Sequence, residues 1–273
     1  MCQMPAPGKR FPLGHIRPAA AIALHCALSV CFLAPPARAQ IVNVLNEARD
    51  VKPGLSGRLA AGGKWQSGNA ESIQADGTAL MRYRAGRHLA IGLGSTAYGI
   101  ANDATLADRQ LGHLRYRLDL IGRLQGEAFV QGDRNSLRRR TVRTVFGLGP
   151  RFELFDGPVL WAAIGLAYMP EYERLGEGSF ADSGAVRWNH RSSAYLSHSV
   201  VVTDRVKAMN TLIAQPAFDA IENLRAFSDL SLELALWSTV TLTFTHTLQL
   251  DTEPPESVRP VDAERKLTFA WSF

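Results

Sequence analysis

The chain has 273 residues, with 30 Lys and Arg, 25 Asp and Glu, and a formal net charge of +5. Four of the basic residues (Lys9, Arg10, Arg17, Arg38) and none of the acidic ones precede Gln40, so the remainder is near neutral, 26 basic against 25 acidic. That balance argues against nucleic acid as a partner. Cys2, Cys26 and Cys31 all lie in the same stretch, which leaves the rest without disulfide or thiol chemistry.

Residues 1–39 have the layout of a cleaved secretory signal peptide. A basic start is followed by the apolar run Ala19 to Leu33 and by Ala37-Arg38-Ala39, a small-x-small cleavage site. The apolar run is shorter than the roughly 20 residues of a spanning helix. Residues 40–54 form a short segment expected in the periplasm, and residues 55–273 carry the fold. No later stretch reaches 18 consecutive apolar residues.

From Leu55 the chain alternates. Leu55, Gly57, Leu59, Ala61, Gly63 and Trp65 share one face up to Gln66, and Ser67-Gly68-Asn69 turns the chain. Ser72 to Arg84 alternates again. His88 to Gly99 places Leu89, Ile91 and Leu93 on one face, then loses phase, which suggests a bulge. Asn102 to Asp108 reads as a polar loop. Strands are predicted over 109–121, 124–131, 138–154 and 159–172, followed by the longest loop, Glu173 to Arg187. Further strands are predicted over 188–200, 205–218, 223–236 and 239–250. In the last of these Val240, Leu242, Phe244, Leu248 and Leu250 oppose a row of threonines. Asp251 to Asp262 is a loop.

The final stretch, Ala263 to Phe273, sets Leu267, Phe269, Trp271 and Phe273 on one face and ends there. A soluble protein rarely ends on an exposed apolar edge. An outer-membrane barrel does, because its last strand closes the barrel with its apolar face toward lipid. The prediction is therefore an all-β, antiparallel transmembrane β-barrel of about 12 strands. Short connections alternate with longer ones, which places both ends of the barrel on the periplasmic side. Aromatics fall into two expected girdles: Trp65, Tyr172, Trp188 and Phe218 at the outer rim, and Tyr83, Phe152, Trp237, Trp271 and Phe273 at the periplasmic rim. The expected partners are outer-membrane lipid, lipopolysaccharide and a barrel-assembly machinery that reads the C-terminal strand ending in Phe273.

The stretch FVQGDRNSLRRRTVRTVFGLGPRFEL, then GLAYMPEYERL, NLRAFSDLSLELAL and LDTEPPESVRPVD, with Ser67-Gly68-Asn69 and the terminal Phe273, resembles the YdiY-like, salt-induced outer-membrane protein family, a domain of unknown function. The similarity runs from about Leu55 to Phe273. It implies an outer-membrane barrel and carries no catalytic residues with it. Pro150 departs from the family pattern, and its ring nitrogen predicts disturbed pairing nearby.

The inward faces are predicted to carry Arg58, Lys64, Arg82, Arg115, Arg117, Arg143 and Arg151. Beside them stand Asp76, Asp119, Glu127, Glu153, Asp229 and Glu233. These charges line a polar pore or pair across a plugged lumen, and unpaired burial is costly. Arg138-Arg139-Arg140 reads as a solvated loop end, with a grip on lipopolysaccharide phosphates as the alternative. His190 and Ser192 stand two apart on a strand and faintly resemble the His-x-Ser of outer-membrane phospholipases, but the Asn-Gly that follows there is Ser193-Ala194 here. Gly147-Leu148-Gly149 opens no helix and is no nucleotide loop. No metal or cofactor is expected. The leading reading is a structural barrel or passive narrow pore and no enzyme. The alternatives are a lipid-processing hydrolase using His190 and Ser192, and a soluble periplasmic barrel for an apolar ligand.

Overall fold

A computed structural model describes residues 51–66, 72–101 and 104–273, apart from the side chains of residues 64–66 and 106. The expected leader, the 40–50 part of the next segment, Ser67-Gly68-Asn69 and the side chains of Lys64 and Trp65 lie outside the described residues.

Twelve strands follow one another: β1 (Gly54–Gln66), β2 (Ser72–Ala85), β3 (His88–Ala101), β4 (Ala104–Ile121), β5 (Leu124–Asn135), β6 (Arg140–Asp156), β7 (Leu160–Leu175), β8 (Val186–Thr203), β9 (Val206–Pro216), β10 (Leu224–Ala235), β11 (Val240–Asp251) and β12 (Val261–Ser272). Each pairs antiparallel with its chain neighbours, and β12 returns to β1, so the sheet closes. Closure removes the edges that an open sheet would expose.

The alternating sequence sorts the two faces. Leu114, Leu148, Leu166, Leu232, Phe244 and Leu267 project outward and are exposed, while Arg115, Arg151, Glu171 and Arg225 project inward and are buried. A globular protein in water arranges these residue types the other way round. Among the described residues no helix is long and apolar enough to cross a membrane, and the apolar belt is built wholly of strands.

Two sequence expectations need correction, both of them loops. Of the expected 102–108 loop, residues 104–108 belong to a strand: β4 starts at Ala104, and Gly99↔Ala107 and Ile100↔Thr105 pair β3 with β4. Asp108 is held there by Ser136 Oγ at 2.5 Å and Arg134 Nη2 at 3.2 Å. Leu89, Ile91 and Leu93 share one face as expected, and it is the inward one; the expected bulge falls at the register shift between Gly99 and Ile100. They form an apolar cluster with Val51, Leu80 and Leu111 inside the N-terminal side of the barrel. The loop assigned to 173–187 shrinks to residues 176–185, because β7 continues to Leu175 and β8 begins at Val186.

Pro150 faces Gly126 across β5, but the paired register between β6 and β7 passes over Gly149 and Pro150. Proline offers no N–H to that ladder. The backbones approach so closely here that a Cβ on Gly149 would lie 1.9 Å from the Leu166 carbonyl oxygen. Backbone cannot swing aside as a side chain can, so Gly149→Ala is expected to cost about 2–3 kcal/mol, the upper part of the overpacking range. Gly132→Ala, where a Cβ meets nothing within 4 Å, is expected to change little. Denaturant unfolding in detergent micelles distinguishes the two.

Candidate functional site

The short turns gather at the rim where β1 begins and β12 ends, and most of the longer loops gather at the opposite rim, the one expected from sequence to be the outer rim. Near the outer rim the lumen is crossed by an ionic network. Period two carries Glu171 and Glu173 inward beyond Met169 on β7, and both are fully buried. Glu171 pairs with Arg143 at 2.7 Å, Arg225 at 2.6 Å and Arg191 at 3.4 Å, and accepts from Asn189 Nδ2 at 3.2 Å. Glu173 pairs with Arg140 at 2.6 Å and Arg225 at 3.0 Å. Arg225 also reaches Asp251 at 3.0 Å, and Asp133 lies 3.2 Å from Arg140. Six strands, β5, β6, β7, β8, β10 and β11, thus tie to one another through side chains inside the barrel.

A second group lies deeper. Glu127 on β5 accepts from Arg115 at 3.0 Å, from Arg117 Nε at 2.9 Å and from the Tyr195 hydroxyl at 2.5 Å. Arg151 donates to Gln125 and to Glu153 at 3.1 Å, with its guanidinium 5.5 Å from the centre of the buried Trp161 ring. Between the two groups, lined by His113, Gln131, Arg143, Met169 and Gln215 among others, the free cavity is about 50 Å³. That holds a few waters and no larger solute.

The other inward residues named from sequence divide as follows. Arg58 donates to Glu233 at 2.8 Å and to Thr241 and Thr243. Asp229 accepts from Ser231 and Thr247. Asp119 sits at the short-turn rim with Arg84 at 2.5 Å and Gln125 at 2.7 Å. Asp76 pairs with Lys266, and Arg82 faces Ile91 across β2 and β3. Glu171, Glu173, Arg140, Arg191, Arg225 and Asp251 are not among the inward charges expected from sequence. The sequence reads Glu173 as loop, whereas the alternation of β7 continues through it and brings both glutamates inside.

Arg138-Arg139-Arg140 is not a solvated loop end. Arg138 is buried and paired with Asp262, and Arg140 belongs to the network. Arg139, at φ 53°, ties three outer loops together. It pairs with Asp182 at 2.5 Å, donates to the Glu256 carbonyl and lies 3.9 Å from the Phe180 ring centre. Asp182 in turn accepts from the Glu256 backbone N–H at 2.9 Å. That bond, and then Arg139, hold the Asp182 carboxyl below its ordinary range.

On the outside, Trp188 packs on Tyr172 at 4.8 Å between ring centres, with Phe218 near the same rim. Tyr83, Phe152, Trp237, Trp271 and Phe273 are exposed toward the other rim. His190 and Ser192 are also on the outer face, where His190 Nδ1 is engaged by the Tyr168 hydroxyl at 2.5 Å and the two rings stack.

A closed antiparallel barrel of even strand number, apolar outside and charged inside, defines the class: an outer-membrane β-barrel. The chain belongs to the DUF481 family of proteins of unknown function, whose model matches residues 59–273 and which the YdiY-like name fits. No curated protein matches it in sequence. Among solved structures it is similar to the translocator domain of autotransporter NalP from Neisseria meningitidis (10% identity, 84% of this chain and 91% of that chain, TM-score 0.49). It is also similar to the NanC porin (9% identity, 81% and 99%, TM-score 0.47). The β domain of the Bordetella autotransporter BrkA follows (9% identity, 81% and 98%, TM-score 0.39).

Because the Asp182 carboxyl is lowered in the folded protein, its tether is present at neutral pH and is lost as pH falls through that lowered value. Asp182→Asn is expected to make the 176–185 loop protease-sensitive at neutral pH, whereas the native chain becomes so only in acid. Limited proteolysis of intact barrels across pH reads this out.

Proposed function

We propose that this protein serves the Gram-negative outer membrane as a structural barrel whose lumen is shut to solutes at rest, any conduction being confined to a narrow passive path. The observation that carries this reading is the complete burial of Glu171 and Glu173 among Arg140, Arg143, Arg191 and Arg225. Ions held at such distances on all sides are partners of one another and not a wet lining. The small cavity beneath them and the apolar cluster around Leu89, Ile91 and Leu93 support the same reading. Twelve strands fall between the eight that side chains fill and the sixteen or more that leave an aqueous channel, so the contents of the lumen decide.

An enzymatic role forms no part of the proposal. His190 spends Nδ1 on Tyr168 within the lipid-facing surface, and an esterase assay of the refolded protein is expected to be blank. Lipid, lipopolysaccharide and an assembly machinery that reads the strand ending in Phe273 are its proposed partners.

Planar-bilayer recording tests the proposal. The native protein is expected to show no steady open conductance. Glu171→Gln leaves Arg143, Arg191 and Arg225 short of a counter-charge and is expected to cost about 3–5 kcal/mol of stability, the range for breaking a buried pair. The same change is expected to produce flickering conductance. A large, steady, native conductance would contradict a lumen shut at rest.

A further inference from the structure

The seam that closes the barrel is incomplete. β1 pairs with β2 over its whole length, from Gly54↔Arg84 to Gln66↔Ser72, and β12 pairs with β11 from Trp271 to Val261. Between β1 and β12, however, the ladder holds four register pairs, Arg58↔Ser272 to Ala61↔Phe269. Gly57 and Phe273 extend it at the short-turn end through mutual backbone hydrogen bonds of 3.0 and 3.1 Å. Continued outward, the register would set Gly62 against Thr268 and Gly63 against Leu267, but among the described residues those pairs are not made. Two strands that are each well held on their far sides therefore part in the outer half of the barrel, at the Gly62-Gly63 step. Unpaired backbone facing hydrocarbon is costly, so polar matter has to fill the gap.

The gap opens on a cavity of about 400 Å³ lined by Gly63, Gln74, Asp76, Arg109, Glu264 and Lys266 among others. In place of the missing ladder, two ion pairs bridge the seam: Lys266 on β12 reaches Asp76 on β2, and Arg109 on β4 reaches Glu264 on β12 at 2.6 Å. Arg109 is 6% exposed, and its Nε has no hydrogen-bond partner among the described residues. With Arg265 also in the lining, cations outnumber carboxylates by one among the described residues. Outside, Leu59, Leu267 and Phe269 flank the opening and are exposed toward the membrane. A charged chamber behind an apolar doorway matches a molecule with an anionic head and apolar chains.

We propose that the parted β1–β12 seam is a lateral binding site for an anionic phospholipid. Its phosphate enters beside Arg109 and Lys266, exchanging with the Glu264 and Asp76 carboxylates, while its chains stay in the membrane against Leu267 and Phe269. Arginine suits the phosphate because its planar fork donates to two oxygens at once. A strand from another chain fits less well, since one strand inserted between antiparallel edges runs parallel to one of them and loses ladder stability there. The proposal rests on the membrane-embedded reading and not on the lumen being shut.

The test is lipid retention by the refolded protein in neutral detergent, read by native mass spectrometry with dimyristoyl phosphatidylglycerol, dimyristoyl phosphatidylcholine or inorganic phosphate as probes. Phosphatidylglycerol is expected to be retained about tenfold better than phosphatidylcholine, the scale of one charge-assisted contact set. Arg109→Gln and Lys266→Gln are each expected to remove that preference, and Arg205→Gln in the distant β8–β9 turn to keep it. Residues 51–273 contain no cysteine, so Gly63→Cys with Leu267→Cys can staple the seam. Oxidation of that pair is expected to abolish retention and reduction to restore it, which keeps the test alive if Arg109→Gln fails to fold. Equal retention of both lipids, indifference to the staple, or retention unchanged in both cation variants would overturn the proposal. Equal competition by inorganic phosphate would show a soluble-anion site instead. Recovery of the chain as a water-soluble species, seen by fractionation, would fail the membrane reading and is distinct from all of these.

Discussion

Inside the hydrocarbon of a bilayer every backbone N–H and C=O must find its partner within the protein, and this requirement shapes the whole chain. A sheet can meet it only by closing on itself. Twelve antiparallel strands do so here through neighbour pairing alone, with the C-terminal Phe273 hydrogen-bonded to Gly57 where the ends meet. A Cβ on Gly57 would sit 2.3 Å from the Phe273 ring, so the glycine gives the last side chain its seat. The outer half of the same seam departs from the rule, and there ion pairs and a polar cavity stand where a ladder would run.

With the outside committed to lipid, the chain's charges have nowhere to go but inward or to the rims. Burial of an ion without a partner is prohibitive, so the interior is solved as a pairing problem. Arg225 meets Glu171, Glu173 and Asp251 together, and Glu127 takes Arg115, Arg117 and the Tyr195 hydroxyl. Such sets add little net stability over apolar packing, but they penalise any slip in register, since a one-residue slip would turn every partner to the lipid face. The apolar cluster of Leu80, Leu89, Ile91, Leu93 and Leu111 shows that ions are not obligatory inside. Where facing strands all present aliphatic residues inward, the lumen packs like an ordinary core.

Loops at the outer rim belong to the same design. Arg139 adopts a left-handed conformation between a short 3-10 turn and β6, and from there binds two neighbouring loops through Asp182, Glu256 and Phe180. The mouth of the barrel is thereby knitted across elements that are remote in the chain.

Period-two alternation is a local property, and it sufficed to read twelve strands, the lipid-facing sides of most of them, the even count and the closing role of the last strand. It also marked Arg58, Arg115, Arg117, Glu127, Arg143 and Arg151 as sharing the polar side. It set Leu89, Ile91 and Leu93 on one face but left open which side that face meets, because an apolar row does not say by itself whether lipid or an apolar cluster receives it. It stopped short at Glu173, which reads as the start of a Gly-rich loop although the alternation continues, and it left Glu171, inside the expected 159–172 strand, out of the inward charges. Which charge meets which lay beyond the sequence altogether. Arg109 and Glu264 stand 155 residues apart and touch only because closure brings β12 round to β1. Strand and face are set by neighbours along the chain, whereas pairing, cavity and seam are set by register and curvature around the barrel, which exist only once it is closed.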